Sequence, residues 1–180
     1  MVAFDSTIIL ALLEPEHCIP KHPITGDNVE NAADRIDFLI ETLQKDGEKI
    51  VIPTPALSEI LVLAGDAGPE YLRHLESVAP FRVVDFDKRA AVQVAAMTSD
   101  AIFEGDKRDG SEETWAKVKY DRQIVAIAKV EGCSVIYSDD EGVRRVSEKN
   151  GMTVIKVADL PLPEKDPQQP LLLDSENRDL

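Results

Sequence analysis

Four short stretches of this chain put an acid where an acid is costly. Asp5 follows the apolar run Val2-Ala3-Phe4, and Glu59 sits inside Ala56-Leu57-Ser58-Glu59-Ile60-Leu61-Val62-Leu63. Asp121 precedes Ile124-Val125-Ala126-Ile127-Ala128, and Asp139-Asp140 close the run Ser134 to Tyr137. Glu59 has no Lys or Arg three or four residues away, and its helix has almost no polar face. Its partner must therefore come from elsewhere in the fold or be a cation, because a buried charge is stable only when paired. Each acid also has a plainer reading. Asp5 caps the helix that follows, Asp139 or Asp140 caps a later one, and Asp121 pairs with Lys117 one turn earlier. If all four meet, two unit charges 4 Å apart repel by about 4 kcal/mol even at an effective dielectric of 20. Clustered carboxylates without His or Cys select hard ions such as Mg²⁺ or Mn²⁺. Such ions assist phosphodiester hydrolysis by activating a water and stabilising the leaving oxygen.

The elements that must position these acids can be read from periodicity. Short apolar strands are expected at 2–4, 50–52, 82–84, 134–137 and 153–157. Helices are expected at 7–13, 30–45, 54–64, 69–77, 88–103, 115–130 and 141–149. Within 88–103 the inward side is expected to carry Ala91, Val94, Ala95 and Ile102. Buried strands alternating with helices predict an α/β fold, a parallel sheet of about five short strands covered on both faces. In such sheets ligands bind beyond the carboxyl ends of the strands. That is where Asp5 and Asp139 would lie. Residues 1–160 read as one domain, and 161–180 as a Pro-rich acidic tail with Leu171-Leu172-Leu173 as its one apolar cluster.

The 180 residues carry 34 Asp and Glu against 20 Lys and Arg, a net charge of −14. This excess argues against general adhesion to nucleic acid. The later half is the more basic part, with Lys117, Lys119, Arg122 and Lys129 followed by Arg144 and Arg145. Two isolated cysteines exclude a disulfide scaffold. No run has the roughly 18 apolar residues a membrane helix needs, and no basic stretch precedes an apolar one at the start, so the expectation is a cytoplasmic protein.

Taken together, Asp5-Ser6-Thr7, Ser58-Glu59-Ile60-Leu61, Tyr120-Asp121-Arg122-Gln123-Ile124-Val125-Ala126-Ile127-Ala128 and Ser138-Asp139-Asp140 resemble the acidic quartet of PIN-domain ribonucleases. In size and order the match is to the VapC-like toxin subgroup of toxin–antitoxin pairs, from about Val2 to Val157. The resemblance implies a three-layer PIN-like fold and a metal-dependent endoribonuclease using Mg²⁺ or Mn²⁺. Asp5, Glu59, Asp121 and Asp139 would be the catalytic metal ligands, with Thr7 as a supporting hydroxyl. It also implies an RNA substrate, a homodimer and an antitoxin that crosses the active-site groove. Lys119 and Arg122, flanking Asp121, are candidate RNA contacts. The family often has Thr or Ser two residues before the last Asp. Here Tyr137 holds that place relative to Asp139, which leaves Asp140 as the alternative fourth ligand. Two other function classes compete: a non-catalytic PIN-fold binding module acting through protein partners, and an aspartyl phosphatase or phosphoacceptor domain. The last is disfavoured because Thr7 stands where a second Asp would be needed.

Overall fold

The computed structural model describes residues 1–163, so the expected tail lies outside the described residues apart from its first three. Its strands are β1 (Val2–Phe4), β2 (Ile50–Pro53), β3 (Phe81–Val84), β4 (Val135–Tyr137) and β5 (Thr153–Ile155). Its helices are α1 (Ser6–Leu13), α2 (Ala32–Lys45), α3 (Thr54–Ala64), α4 (Gly68–Ser77), α5 (Lys88–Phe103), α6 (Trp115–Val130) and α7 (Glu141–Lys149). The strands form one parallel sheet in the order β3-β2-β1-β4-β5. The chain first builds outward from β1 through β2 to β3. It then returns to the other side of β1 for β4 and β5. The order therefore reverses between β1 and β4, the place where α/β sheets open a crevice at their carboxyl ends.

Alternation along the short strands builds two cores. Val2, Phe4, Ile50, Ile52 and Tyr137 face the layer of α1, α2 and α3, where Ile8, Ile9, Ile36, Leu39, Leu57 and Ile60 meet them. Ala3, Val51 and Ile136 face the opposite layer, against Ala90 and Met97 of α5, residues 124–128 of α6, and Val143 and Val146 of α7. Both faces of the sheet are thus covered, which is why the strands read as continuous apolar runs rather than alternating ones.

Two expectations about faces are corrected. Helix α5 buries Ala90, Met97 and Ala101, while Ala91 and Ala95 are exposed and Ile102 is 59 % exposed. A helix rich in Ala and Val on every side has no periodic contrast to read, so tertiary packing chooses the face. Helix α3 also keeps a solvent side: Val62 is 80 % and Leu63 67 % exposed. Among the described residues no helix is long and apolar enough to cross a membrane.

Candidate active site

Strand β1 ends at Asp5, the N-cap position of α1, with its backbone N–H bonded to Tyr137 O of β4 at 3.1 Å. Its carboxylate does not cap the helix; it is 1 % exposed and turned into the crevice. Ser138 Oγ donates to Asp5 Oδ2 at 2.8 Å, and the hydroxyls of Ser6 and Thr7 lie 3.4 Å from its two oxygens. Ser6 Oγ also donates to Glu59 Oε2 at 2.6 Å, which ties α3 to the end of β1. Burial pushes the Asp5 carboxyl up to about 6, against the pull of the Ser138 hydroxyl and of a backbone hydrogen bond from Ser6, and with the charges of Asp140 and Glu59 adding to the rise.

Asp121 is carried by a deeply buried stretch of α6, residues 121–128, and is itself 1 % exposed. Burial again lifts its carboxyl to about 6. Lys117, one turn earlier, opposes that rise, while the charges of Asp140 and Asp5 add to it. Lys117 Nζ lies 3.0 Å from Asp121 Oδ1 and 2.8 Å from Asp140 Oδ2, bridging the two carboxylates. Asp140 caps α7, accepting from the N–H groups of Gly142 (2.7 Å) and Val143 (3.0 Å). Burial works to raise its carboxyl, but the Lys117 ammonium and these amide donors hold it below the usual range. Gly142 allows the close approach of α7 to α6, since a Cβ there would overlap Asp121 Oδ2.

The structure brings Asp5, Glu59, Asp121 and Asp140 to one place, each feeling the charge of at least one of the others. Asp139 turns elsewhere. Its Oδ1 accepts from Val157 N at 3.3 Å, its charged neighbours are Lys156 and Asp159, and its Oδ2 is buried without a partner. Burial raises its carboxyl as well. Its contact with the site is through the backbone, the Asp139 N–H donating to Thr7 Oγ1 at 3.1 Å. Lys117 pairs with Asp121 as the spacing predicts, whereas the roles of the Ser138 and Ser6 side chains are shown only by the fold. Ser138 had a visible signal: it stands two residues before Asp140, the hydroxyl spacing expected before the last acid.

Of the two candidate RNA contacts, Lys119 is exposed, its ammonium 5.8 Å from the Trp115 ring centroid. Arg122 is corrected: it is fully buried on the other side of α6 and ion-paired with Asp109, so no polyanion can reach it. Two depressions flank the acids. One, of about 340 Å³, is lined by Ser6, Ser58, Glu59, Val62, Leu63 and Tyr120. The other, a polar cleft of about 410 Å³, is lined by residues that include Glu113, Lys117, Asp140, Glu141 and Arg145. Among the described residues no three acid, His or Cys side chains are already close enough to clasp an ion without adjustment.

A parallel sheet with an acidic crevice at its switch point, between the carboxyl ends of β1 and β4, defines a three-layer α/β protein. The PIN domain model matches residues 28–149, and the chain belongs to the PIN domain family. Its fold is also that of several solved structures. VapBC2 from Rickettsia felis, bound to a promoter DNA fragment, aligns with TM-score 0.59 and 14% identity over 87% of this chain and 98% of its own. VapC20 from Mycobacterium tuberculosis, a toxin that cleaves the sarcin–ricin loop, aligns with TM-score 0.56 and 13% identity over 89% and 100%. A toxin–antitoxin complex from Klebsiella pneumoniae aligns with TM-score 0.52 and 12% identity over 89% and 100%. A search of curated protein sequences found no match.

Proposed function

We propose that this protein is a metal-dependent endoribonuclease and the toxin of a toxin–antitoxin pair, acting on RNA phosphodiester bonds in the cytoplasm as a homodimer. The carrying observation is the meeting of Asp5, Glu59, Asp121 and Asp140 at the sheet's switch point, with two of them almost wholly buried and one lysine to balance them. Membership of the PIN family and likeness to an RNA-cleaving toxin support the same reading.

The donor set suits a hard divalent cation, being all carboxylate oxygen with hydroxyl support. That an ammonium already sits between Asp121 and Asp140 supports the fit, since it marks a place where positive charge is stabilised. Asp5, Glu59, Asp121 and Asp140 would hold the ion, with Asp140 rather than Asp139 in the fourth role. When bound, Mg²⁺ or Mn²⁺ supplies a nucleophilic water at neutral pH and stabilisation of the leaving oxygen. The chain's own part is orientation. Ser138 and Thr7 fix the Asp5 carboxylate, Ser6 fixes Glu59, and the α7 amides fix Asp140. Arg145, in the polar cleft, would meet the phosphates of an incoming strand, and Lys119 would add exposed positive charge on the Trp115 face of α6.

Incubating the purified protein with total RNA, with and without chelator, tests this. Asp5→Asn should cut cleavage by about a thousandfold while the protein stays folded, because charge stabilisation at such a site is worth several kcal/mol. Asp139→Asn should stay within a few-fold of the wild type. Full activity in excess chelator, or in Asp5→Asn, sinks the reading. The competing binding-module reading draws on Lys117, which partly neutralises the acids unaided; a protein that takes up no Mn²⁺ at millimolar ion would favour it.

A further inference from the structure

The geometry points to Lys117 as a tethered counter-ion that holds the place of the divalent cation between Asp121 and Asp140 and must leave for the cation to enter. The inference rests on the metal-site reading above and adds a step of exchange to it. Lys117 Nζ is 3.0 Å from Asp121 Oδ1 and 2.8 Å from Asp140 Oδ2, so a single ammonium is ion-paired with both carboxylates and hydrogen-bonds that of Asp140, while Asp121 Oδ1 is left buried without a hydrogen bond. The acids opposite it, Asp5 and Glu59, receive hydroxyl donors from Ser138 and Ser6 and, at Asp5, the Ser6 backbone amide, and no ammonium among the described residues. Without a cation of some kind, four carboxylates would face one another.

The tether is built to reach and to let go. Lys117 lies one turn before Asp121 on α6, so its stem runs along the helix surface, and its side chain is 34 % exposed. Behind it opens the polar cleft, whose wall carries Glu113 and Glu141. A displaced ammonium would thus move from two carboxylates at the centre toward the rim, where Glu113 and Glu141 lie, the latter already paired with Arg144. Because the ion pairs with Asp121 and Asp140 must break first, the lysine weakens divalent binding and keeps the metal-free fold intact. It sets a threshold of ion concentration below which the site is closed by the chain's own side chain.

Calorimetric titration of Mn²⁺ into chelator-stripped wild-type protein and Lys117→Met tests the exchange. The Met variant, which keeps the apolar stem and loses the charge, should bind Mn²⁺ at least about tenfold more tightly. It should also melt lower without the ion and gain more from it, as ligand linkage requires. A dissociation constant unchanged or weaker in the variant overturns the inference. Lys117→Gln gives the same comparison should the Met variant not fold. The wild type provides a second readout. With lysines labelled for NMR, Mg²⁺ should move one side-chain ammonium signal to the position of solvent-exposed lysines, saturating with the ion's own dissociation constant. No such movement under saturating Mg²⁺ overturns it. Equal Mn²⁺ binding in both proteins removes the exchange alone. No binding by either folded protein removes the metal reading and the exchange with it.

Discussion

Asp121 and Arg122 are neighbours on α6, almost equally buried, and they live in opposite electrostatic worlds. Asp121 shares Lys117 with Asp140 and feels the charge of Asp5 across the crevice. Arg122, about 100° further round the helix, has partners for both terminal nitrogens of its guanidinium, and its Nε alone is buried without one. Its guanidinium donates to Thr98 Oγ1 at 3.1 Å, to Lys107 O at 2.9 Å and to the Asp109 carboxylate, with its carbon 5.5 Å from the Trp115 ring centroid. Asp109 in turn receives Lys149 of α7 at 2.6 Å. The balanced cluster pins the connection between α5 and α6 against α7 and so holds α6 in register. The unbalanced one has nothing comparable to close it among the described residues. The two charges differ here by their company and hardly at all by their depth.

Breaking the balanced side should have the largest effect on the fold. Arg122→Met leaves Asp109 inside without its main partner and should cost about 3–5 kcal/mol of stability, the range for unpairing a buried ion pair. Urea unfolding measures it. Adding Asp109→Asn should recover part of the loss, because the orphaned charge goes with it; strictly additive losses would mean that the two residues are not coupled. On the unbalanced side, stability should follow pH. Asp5 and Asp121 have carboxyls lifted from 3.8 to about 6, so the folded protein holds protons that the unfolded chain releases. Their contribution is complete below about pH 4 and is lost as pH rises through about 6. Asp140, held below its usual range, works the other way in the acid part of that window. In chelator the net expectation is a protein about 2 kcal/mol less stable at pH 7.5 than at pH 5. A chelated protein that gains stability over this interval would mean that Asp5 and Asp121 are not held buried as the fold holds them.

The same contrast explains what could be read in the sequence. Helices α5, α6 and α7 begin where expected because a polar cap stands ahead of each: Asp87 accepts from Ala90 N at 2.9 Å, Thr114 from Lys117 N at 3.3 Å, and Asp140 from two amides of α7. Asp5, Glu59 and Asp121 were visible because each interrupts an apolar stretch. Arg122 was misjudged because adjacency in sequence suggested a shared site, whereas consecutive residues on a helix diverge. The choice between Asp139 and Asp140 depends on how the chain turns after β4. Consecutive residues there point opposite ways, one toward Val157 and one toward Lys117. No composition rule carries that information, although the Ser138 spacing pointed to Asp140.

The smallest effect expected is also the most local. Gly142 is the second residue of α7 and its backbone is ordinary helix, so Ala there should help the helix by up to about 1 kcal/mol. What forbids it is the Asp121 carboxylate, which occupies the space a Cβ would take, with Asp140 Oδ1 a further 3.0 Å neighbour. Overpacking of this kind costs about 1–3 kcal/mol. Gly142→Ala should therefore lose only about 1 kcal/mol of net stability while turning Asp121 away from Lys117 and the crevice. The change should weaken Mn²⁺ binding by about tenfold, the equivalent of some 1.4 kcal/mol. A substitution that scarcely touches the melting temperature yet shifts the titration would separate the positioning of the acid from the integrity of the fold. Unchanged melting together with unchanged binding would mean that α7 does not press on Asp121, and that the wall of the crevice lies elsewhere.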